Sequence, residues 1–133
     1  ASRGARTVLC IEDNLSNVKV MQRLLAHRPG VRLVPTMQGR LGLGLARQHR
    51  PHLILLDLHL PDIPGIEVLR LLREDPETAK IPVVVTSADA TPGQIERLLA
   101  AGARAYLTKP LEVKKLFELL NEILREQPSA RDH

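Results

Sequence analysis

The sequence predicts an α/β fold in which parallel strands form one sheet covered by helices on both faces. Strand-like and helix-like patterns alternate five times, with Gly or Pro between most of them. Two strand patterns are continuous apolar runs, as expected for strands buried on both faces: Val8-Leu9-Cys10-Ile11 and Leu53-Ile54-Leu55-Leu56. Strict alternation implies a doubly wound sheet, because each right-handed crossover lays its helix against the strands.

Length and composition agree with one such domain. A chain of 133 residues is long enough for one core and too short for two. Its 44% hydrophobic and 26% charged residues are typical of a water-soluble protein, and no apolar stretch reaches the length of a membrane span. Cys10 is the only cysteine, which excludes an internal disulfide and predicts a buried, inert thiol in a reducing compartment.

The first half of the chain contains two strand-helix units. The strands are predicted at about 7–11 and 31–35, and the first helix at about 15–27. Asn14 can cap that helix, and Pro29-Gly30 ends it. Its inward face has the three- and four-residue spacing of a buried helix: Val18, Met21, Leu24 and Leu25.

The second helix is marked by Leu41, Leu45 and Ala46. It also contains Gly42 and Gly44, each of which weakens a helix by up to about 1 kcal/mol relative to Ala. Local propensity and the apolar pattern therefore disagree in this element.

The third strand is predicted at 53–57, and the fourth at 83–87, where it is mostly β-branched. Asp75-Pro76 ends the helix between them. The apolar residues of that helix are Ile66, Val68, Leu69, Leu71 and Leu72.

Thr91-Pro92 begins the next helix, and Gly102 closes it. Its predicted inward residues are Ile95, Leu98 and Leu99. A fifth strand follows at about 104–108, and then a last helix at about 111–126. The core positions of that helix are Leu116, Phe117, Leu120, Ile123 and Leu124. Residues 1–5 are predicted to be a linker or a trimmed end, and residues 127–133 a disordered tail.

Polar residues follow four of the five strands: Glu12-Asp13, Asp57, Thr86-Ser87 and Lys109. The carboxyl ends of parallel strands share one edge of the sheet, which is where such sheets bind ligands. Three carboxylates at this edge predict an electronegative crevice for a hard cation and a phosphoryl group.

An acidic pair, a lone Asp, a hydroxyl and Lys109-Pro110 at these strand ends resemble the receiver domain of two-component response regulators, over residues 6–126. The resemblance implies a flavodoxin-like (βα)5 sheet with the strand order 2-1-3-4-5. It implies that Asp57 is the phosphoacceptor and that Lys109 pairs with the phosphoryl oxygens. The implied Mg²⁺ ligands are Glu12, Asp13, Asp57 and the backbone carbonyl of His59.

Phosphoryl transfer to a carboxylate requires the same groups. A carboxylate must approach an anionic donor beside two other carboxylates, and each charge pair about 4 Å apart interacts by roughly 4 kcal/mol at an effective dielectric of 20. Mg²⁺ would offset this repulsion, while Lys109 and a hydroxyl would stabilise charge in the transition state.

The resemblance also implies a conformational switch. Thr86 and Ser87 are both candidates for the switch hydroxyl; Ser87 fits better, because its distance to Gly102 matches the family's helix length. Ser87 and Tyr106 would move together after phosphorylation and change the surface at 91–126, which could also serve self-association.

Two departures from the family pattern, one residue that flanks the site and three rival interpretations bear on function. Glu12 stands where many members have Asp, Pro64 stands where a polar residue is common, and His59 beside the site could influence hydrolysis. A cobalamin-binding domain would have Gly at position 62, where this chain has Asp62. A phosphatase of the haloacid-dehalogenase type would have Asp at position 59, where this chain has His59. Both interpretations are therefore disfavoured. A receiver that serves as a non-phosphorylated scaffold is the third alternative.

The expected role is that of a phosphorelay acceptor and not of a separate enzyme, although a receiver has autophosphatase activity. We expect the donor to be a phosphohistidine on a histidine kinase or phosphotransfer domain that docks near residues 15–27. The predicted parent is a cytoplasmic or membrane-anchored hybrid sensor histidine kinase; the alternative is a stand-alone response regulator. The domain itself is expected to lie in the cytoplasm without membrane contact.

Charge is unevenly distributed along the chain. Residues 1–50 contain nine Lys/Arg against two Asp/Glu, whereas residues 51–133 contain ten against thirteen. The basic half could steer an acidic partner, but Tyr106 and Phe117 are the only aromatic residues and offer few stacking platforms to bases. The sequence therefore argues against direct nucleic-acid binding.

Overall fold

The structure, a computed structural model, describes residues 6–127. Its strands are β1 (Arg6–Ile11), β2 (Val31–Thr36), β3 (Leu53–Asp57), β4 (Val83–Ser87) and β5 (Ala105–Thr108). Its helices are α1 (Leu15–Ala26), α2 (Gly39–His49), α3 (Gly65–Glu74), α4 (Pro92–Ala100) and α5 (Val113–Arg125). All strand pairs are parallel and the order is β2-β1-β3-β4-β5, which confirms the predicted flavodoxin-like fold.

Each face of the sheet carries its own hydrophobic layer, because successive residues of a strand point to opposite sides. Ile54 and Leu56 belong to the layer beneath α2, α3 and α4. Cys10 and Leu55 belong to the layer beneath α1 and α5. Cys10 is buried as predicted, and burial raises the pKa of its thiol to about 12. The thiol is therefore protonated and unreactive at neutral pH.

The sequence signals at two helix starts are confirmed. The side chain of Asn14 accepts a hydrogen bond from the backbone N–H of Asn17 at 3.1 Å and so caps α1. At α4, the Thr91 hydroxyl accepts from Gln94 N at 3.2 Å, and the Gln94 side chain accepts from Thr91 N at 2.8 Å. These reciprocal bonds satisfy N–H groups that have no partner inside the helix.

Leu99, which was predicted to face inward, and Ile66, an apolar residue of α3, are both exposed. Leu99 is 45% exposed and Ile66 is 39% exposed. Leu98 is buried in α4, and its neighbour Leu99 points elsewhere because successive helical residues are rotated by about 100°. The core face of α3 passes through Val68, Leu69 and Leu72, and Ile66 lies at the edge of that face.

The structure leaves both ends of the chain undescribed, apart from the first residue of the predicted tail. Residues 1–5 and 128–133 lie outside the described residues, and so does nearly all of the predicted tail. Gln127 is described, and its Nε2 donates a hydrogen bond to the carbonyl of His52 at 2.8 Å. Within residues 6–127, none of the helices is long and apolar enough to cross a membrane.

Helix α2 forms despite its two internal glycines, and only one of them has a packing role. A Cβ atom added at Gly42 would lie 2.5 Å from Cδ1 of the buried Ile11, whereas one added at Gly44 would meet nothing within 4 Å. Gly42 therefore lets α2 approach β1 closely, at the expense of helix propensity.

We expect Gly42→Ala to be less stable than Gly44→Ala by about 1–3 kcal/mol, because overpacking adds its cost only at position 42. Gly44→Ala should stabilise the protein by up to about 1 kcal/mol. Urea unfolding of both variants measures the difference. Equal stabilisation by the two substitutions would contradict the packing role of Gly42.

Candidate active site

The fold brings the polar strand ends together as predicted. Strand β1 pairs with β3 so that Ile11 lies opposite Leu56, which places the residues after them, Glu12 and Asp57, side by side. On the other side of β3, Asp57 pairs with Thr86 of β4. The acidic pair and the lone Asp therefore share one edge of the sheet.

Three carboxylates form an acidic cluster at this edge. Glu12, Asp13 and Asp57 each contribute an oxygen, and the three oxygens lie within 4.8 Å of one another. Glu12 and Asp57 are buried, at 6% and 3% exposure, whereas Asp13 is exposed. The Lys109 ammonium lies 2.6 Å from Glu12 Oε1 and 3.2 Å from Asp57 Oδ2. The lysine therefore contacts two of the three acids, and the cluster retains an excess of negative charge.

Backbone groups fix the carboxylates in place. The N–H of His59 donates to Asp57 Oδ1 at 3.1 Å, and the N–H of Asn14 donates to Glu12 Oε2 at 3.2 Å. The N–H of Glu12 donates to the carbonyl of Thr36 at 2.9 Å, which anchors this residue to the end of β2. Lys109 follows β5, and its peptide bond to Pro110 is cis.

Gly65 lets the loop after β3 close against the end of that strand. A Cβ atom at this position would lie 2.5 Å from the carbonyl oxygen of Asp57 and 2.7 Å from Cα of Leu58. The N–H of Gly65 also donates to the carbonyl of Leu58 at 2.8 Å. The absence of a side chain at Gly65 thus allows the turn that holds the end of β3.

The charges of the cluster perturb one another. Burial, followed by the neighbouring Glu12, raises the pKa of Asp57, whereas the N–H of His59 and the charge of Lys109 lower it; together these effects bring the pKa to about 7. Burial alone would lower the pKa of Lys109, but its contacts with Glu12 and Asp57 raise the pKa overall. Near neutral pH, Lys109 is therefore charged, while Asp57 is close to its midpoint of protonation.

The acidic cluster fits a hard divalent cation. Its converging donors are carboxylate oxygens, which are the ligands that Mg²⁺ prefers in proteins. A bound dication would also offset the repulsion that keeps a proton near Asp57. The structure brings together the predicted ligands Glu12, Asp13 and Asp57; the carbonyl of His59 stays a prediction.

The two candidate hydroxyls lie on opposite faces of β4. Thr86 lines a small cavity beside Lys109 and Pro110. Ser87 is buried, and its hydroxyl donates to Asp89 Oδ1 at 3.0 Å. The carbonyl of Ser87 accepts from the Tyr106 hydroxyl at 3.0 Å, so the two predicted switch residues are in direct contact.

Sequence reasoning missed two residues near the site. Asp89 accepts hydrogen bonds from both Ser87 and His59, and these contacts lower the pKa of its carboxyl group. Asp62 accepts from the N–H groups of Gly39 and Arg40, both at 2.8 Å, and so caps α2 from the loop after β3. The sequence contains one indication of this role. Gln38, the N-cap residue of α2, is of a type that rarely caps helices, so the first N–H groups of α2 need an acceptor from elsewhere in the chain.

Comparisons with known proteins agree with this geometry. The family model for the response regulator receiver domain matches residues 8–121. The polar-differentiation response regulator DivK of Brucella anthropi is 38% identical over 119 residues, which cover 90% of this chain and 96% of the relative. The DivK protein of Brucella ovis is 37% identical over the same shares of both chains.

Solved structures show the same fold. The receiver domain of sensor histidine kinase PA1611 from Pseudomonas aeruginosa, crystallised with a magnesium ion coordinated in its active site cleft, superposes with a TM-score of 0.82. It is 28% identical, and the match covers 91% of this chain and 98% of that one. A response regulator structure from Chloroflexus aurantiacus has a TM-score of 0.84 at 24% identity, with the same coverage.

The family match spans most of the chain, and the acidic cluster and Lys109 occupy the sheet edge where such a domain carries its chemistry. The chain belongs to the response regulator receiver domain family of two-component systems.

Proposed function

We propose that this receiver domain accepts a phosphoryl group from phosphohistidine onto Asp57 in a Mg²⁺-dependent reaction. The observation that carries the proposal is the cluster itself: Lys109 contacts both Glu12 and Asp57, and Asp13 completes a group of three converging carboxylates. This arrangement sets three carboxylates against one lysine, which suits a cation-dependent reaction better than a purely structural ion pair.

In the proposed reaction a carboxylate oxygen of Asp57 forms a bond to phosphorus while the bond from phosphorus to the donor imidazole breaks. The electron pair leaves with the imidazole nitrogen. Mg²⁺, held by Glu12, Asp13, Asp57 and the carbonyl of His59, would supply charge neutralisation and alignment. Lys109 lies 3.2 Å from Asp57 Oδ2, where its ammonium can offset charge on the phosphoryl oxygens.

Hydrolysis of the resulting acyl phosphate would return Asp57 to its starting state. The domain would thus phosphorylate itself from a donor and have autophosphatase activity, without acting as a separate enzyme. The donor would be a histidine kinase or phosphotransfer domain in the cytoplasm.

The relatives bear differently on the parent protein. The match covers 96% of the DivK relative from Brucella anthropi, so that protein consists almost entirely of this domain. This likeness supports the stand-alone regulator. The PA1611 receiver belongs to a sensor histidine kinase and supports the hybrid-kinase parent predicted from the sequence. We propose the stand-alone arrangement, because the identity to the DivK relatives is higher.

Intact-mass measurement after incubation with acetyl phosphate and Mg²⁺ tests the phosphoacceptor function. We expect one phosphoryl unit on the wild type, and none on Asp57→Asn or when EDTA removes the cation. A wild-type protein that takes up no phosphoryl group from either acetyl phosphate or a phosphohistidine donor would instead favour the scaffold alternative.

Ser87→Ala is expected to leave phosphoryl uptake largely intact and to weaken the structural response. Ser87 lies beside the site and its hydroxyl can contact new acceptors on Asp57, whereas the attacking atom belongs to Asp57 itself. Amide spectra of both proteins with and without a phosphoryl mimic would measure the response around Tyr106 and α4. Equal spectral changes in the mutant and the wild type would refute the switch role.

A further inference from the structure

The Asp89 carboxylate joins the two loops that flank the phosphoacceptor. Its Oδ1 atom accepts from the Ser87 hydroxyl at 3.0 Å and lies 3.0 Å from Nε2 of His59. The N–H of Asp89 in turn donates to Ser87 Oγ at 3.3 Å. His59 belongs to the loop after β3, and Ser87 is the last residue of β4.

The hydroxyl is the movable part of this arrangement. The carbonyl of Ser87 is anchored twice, by the Tyr106 hydroxyl and by the N–H of Lys109, each at 3.0 Å. A serine hydroxyl has one proton to donate. It can donate that proton to Asp89 or to an oxygen on phosphorylated Asp57, but not to both.

We propose that Asp89 is a competing acceptor that holds the Ser87 hydroxyl in the unphosphorylated protein, with His59 positioning Asp89. This inference rests on the proposed phosphoacceptor function of Asp57. On phosphorylation, the Ser87 hydroxyl would exchange its charge-assisted hydrogen bond to Asp89 for one to the phosphoryl group on Asp57. The strength of the bond to Asp89 therefore determines how strongly the phosphoryl group must attract the hydroxyl to change the conformation of the loop after β4. Asp89 and His59 are positioning residues, because they act through Ser87.

The hydrogen bond between Ser87 and Asp89 can break at low cost, because Asp89 and His59 are exposed to solvent. The side chains of Asp89 and His59 are 74% and 65% exposed, whereas Ser87 is 1% exposed. Water can therefore solvate Asp89 once the hydroxyl leaves, so the competition is weak enough for a phosphoryl group to win. The same exposure means that replacing Asp89 or His59 leaves the core untouched.

Binding of beryllium fluoride, a phosphoryl mimic, in the presence of Mg²⁺ tests the proposal through a double-mutant cycle. We expect Asp89→Ala to tighten binding of the mimic by about 3–10-fold, the factor that one hydrogen bond of ordinary strength contributes. In a Ser87→Ala background the same substitution should change the affinity by less than about 2-fold. His59→Ala should act in the same direction as Asp89→Ala, more weakly, and have no effect once Asp89 is replaced.

The cycle separates the proposed contact from simple electrostatics. Removing the charge of Asp89 would favour an anionic mimic to the same extent with or without the Ser87 hydroxyl, so equal changes in both backgrounds would overturn the proposal. Amide signals of Ser87 and Tyr106 in unliganded Asp89→Ala should also move towards their mimic-bound positions. Failure of the wild type to bind the mimic or take up a phosphoryl group would refute the phosphoacceptor function, and this inference with it.

Discussion

Asp57→Asn is expected to abolish phosphoryl uptake and, at the same time, to stabilise the metal-free protein by about 1–3 kcal/mol at about pH 8. Burial and the neighbouring Glu12 raise the folded-state pKa of Asp57 from 3.8 to about 7. An amide at this position removes the like charge, and it can still accept from Lys109 and donate to Glu12. The proposed phosphoacceptor is therefore expected to lower the stability of the metal-free domain.

The pH dependence has a definite sign. The pKa of Asp57 is 3.8 when unperturbed and about 7 in the folded protein. The unfolded chain therefore loses its proton first, and the stability of the metal-free wild type falls as the pH rises through this window. Asp57→Asn should lack that component of the slope in urea unfolding between these pH values. An Asp57→Asn variant that is less stable than the wild type over this whole pH range would contradict the destabilising effect of the Asp57 charge.

Asp13→Asn is the matched control. Asp13 is an exposed member of the same cluster, so its removal should change metal-free stability little. Adding Mg²⁺ should stabilise the wild type by mass action and should stabilise both variants less, because each loses a ligand. Stabilisation of all three proteins by the same amount would place the cation elsewhere.

Gly65→Ala is expected to destabilise the protein by about 2–3 kcal/mol and to slow phosphoryl uptake. The added methyl group would lie 2.5 Å from the carbonyl oxygen of Asp57, and its three nearest neighbours are all backbone atoms that no side-chain rotation can move away. The loop after β3 must shift, and it carries the N–H of His59 that holds Asp57. The lower stability and the slower phosphoryl uptake would therefore have the same cause, the displacement of the loop after β3.

Gly93→Ala is the control for this substitution, because a Cβ atom at Gly93 meets nothing within 4 Å. It should stabilise the protein slightly and leave phosphoryl uptake unchanged. Thermal unfolding and the initial rate of mass increase with acetyl phosphate would be measured for both variants. Wild-type uptake by a stably folded Gly65→Ala protein would show that the loop tolerates the shift.

The fold and the centre of the site were predictable because they depend on patterns that local physics makes unambiguous. Apolar runs that end in acids, at Ile11 and at Leu56, fix both the buried strands and the edge where the carboxylates meet. The resemblance to receiver domains then supplied the strand order and the partner Lys109. The structure shows Lys109 in contact with both Glu12 and Asp57.

Details that depend on tertiary packing were not predictable in this way. The sequence treats Gly42 and Gly44 alike, and only the distance to Ile11 separates them. Leu99 fits an apolar stripe but faces outward, because α4 buries a narrow face through Leu98. The role of Asp89 needs two loops to meet in space, which residue spacing does not report.

Locating the phosphoryl group on the chain tests the central claim most directly. Protein incubated with acetyl phosphate and Mg²⁺ is treated with borohydride, which reduces an aspartyl phosphate to homoserine, and its peptides are sequenced by mass spectrometry. The account predicts homoserine at position 57 alone, and none when EDTA replaces Mg²⁺. Homoserine at Asp13 or any other aspartate, or at position 57 equally without the cation, would contradict it.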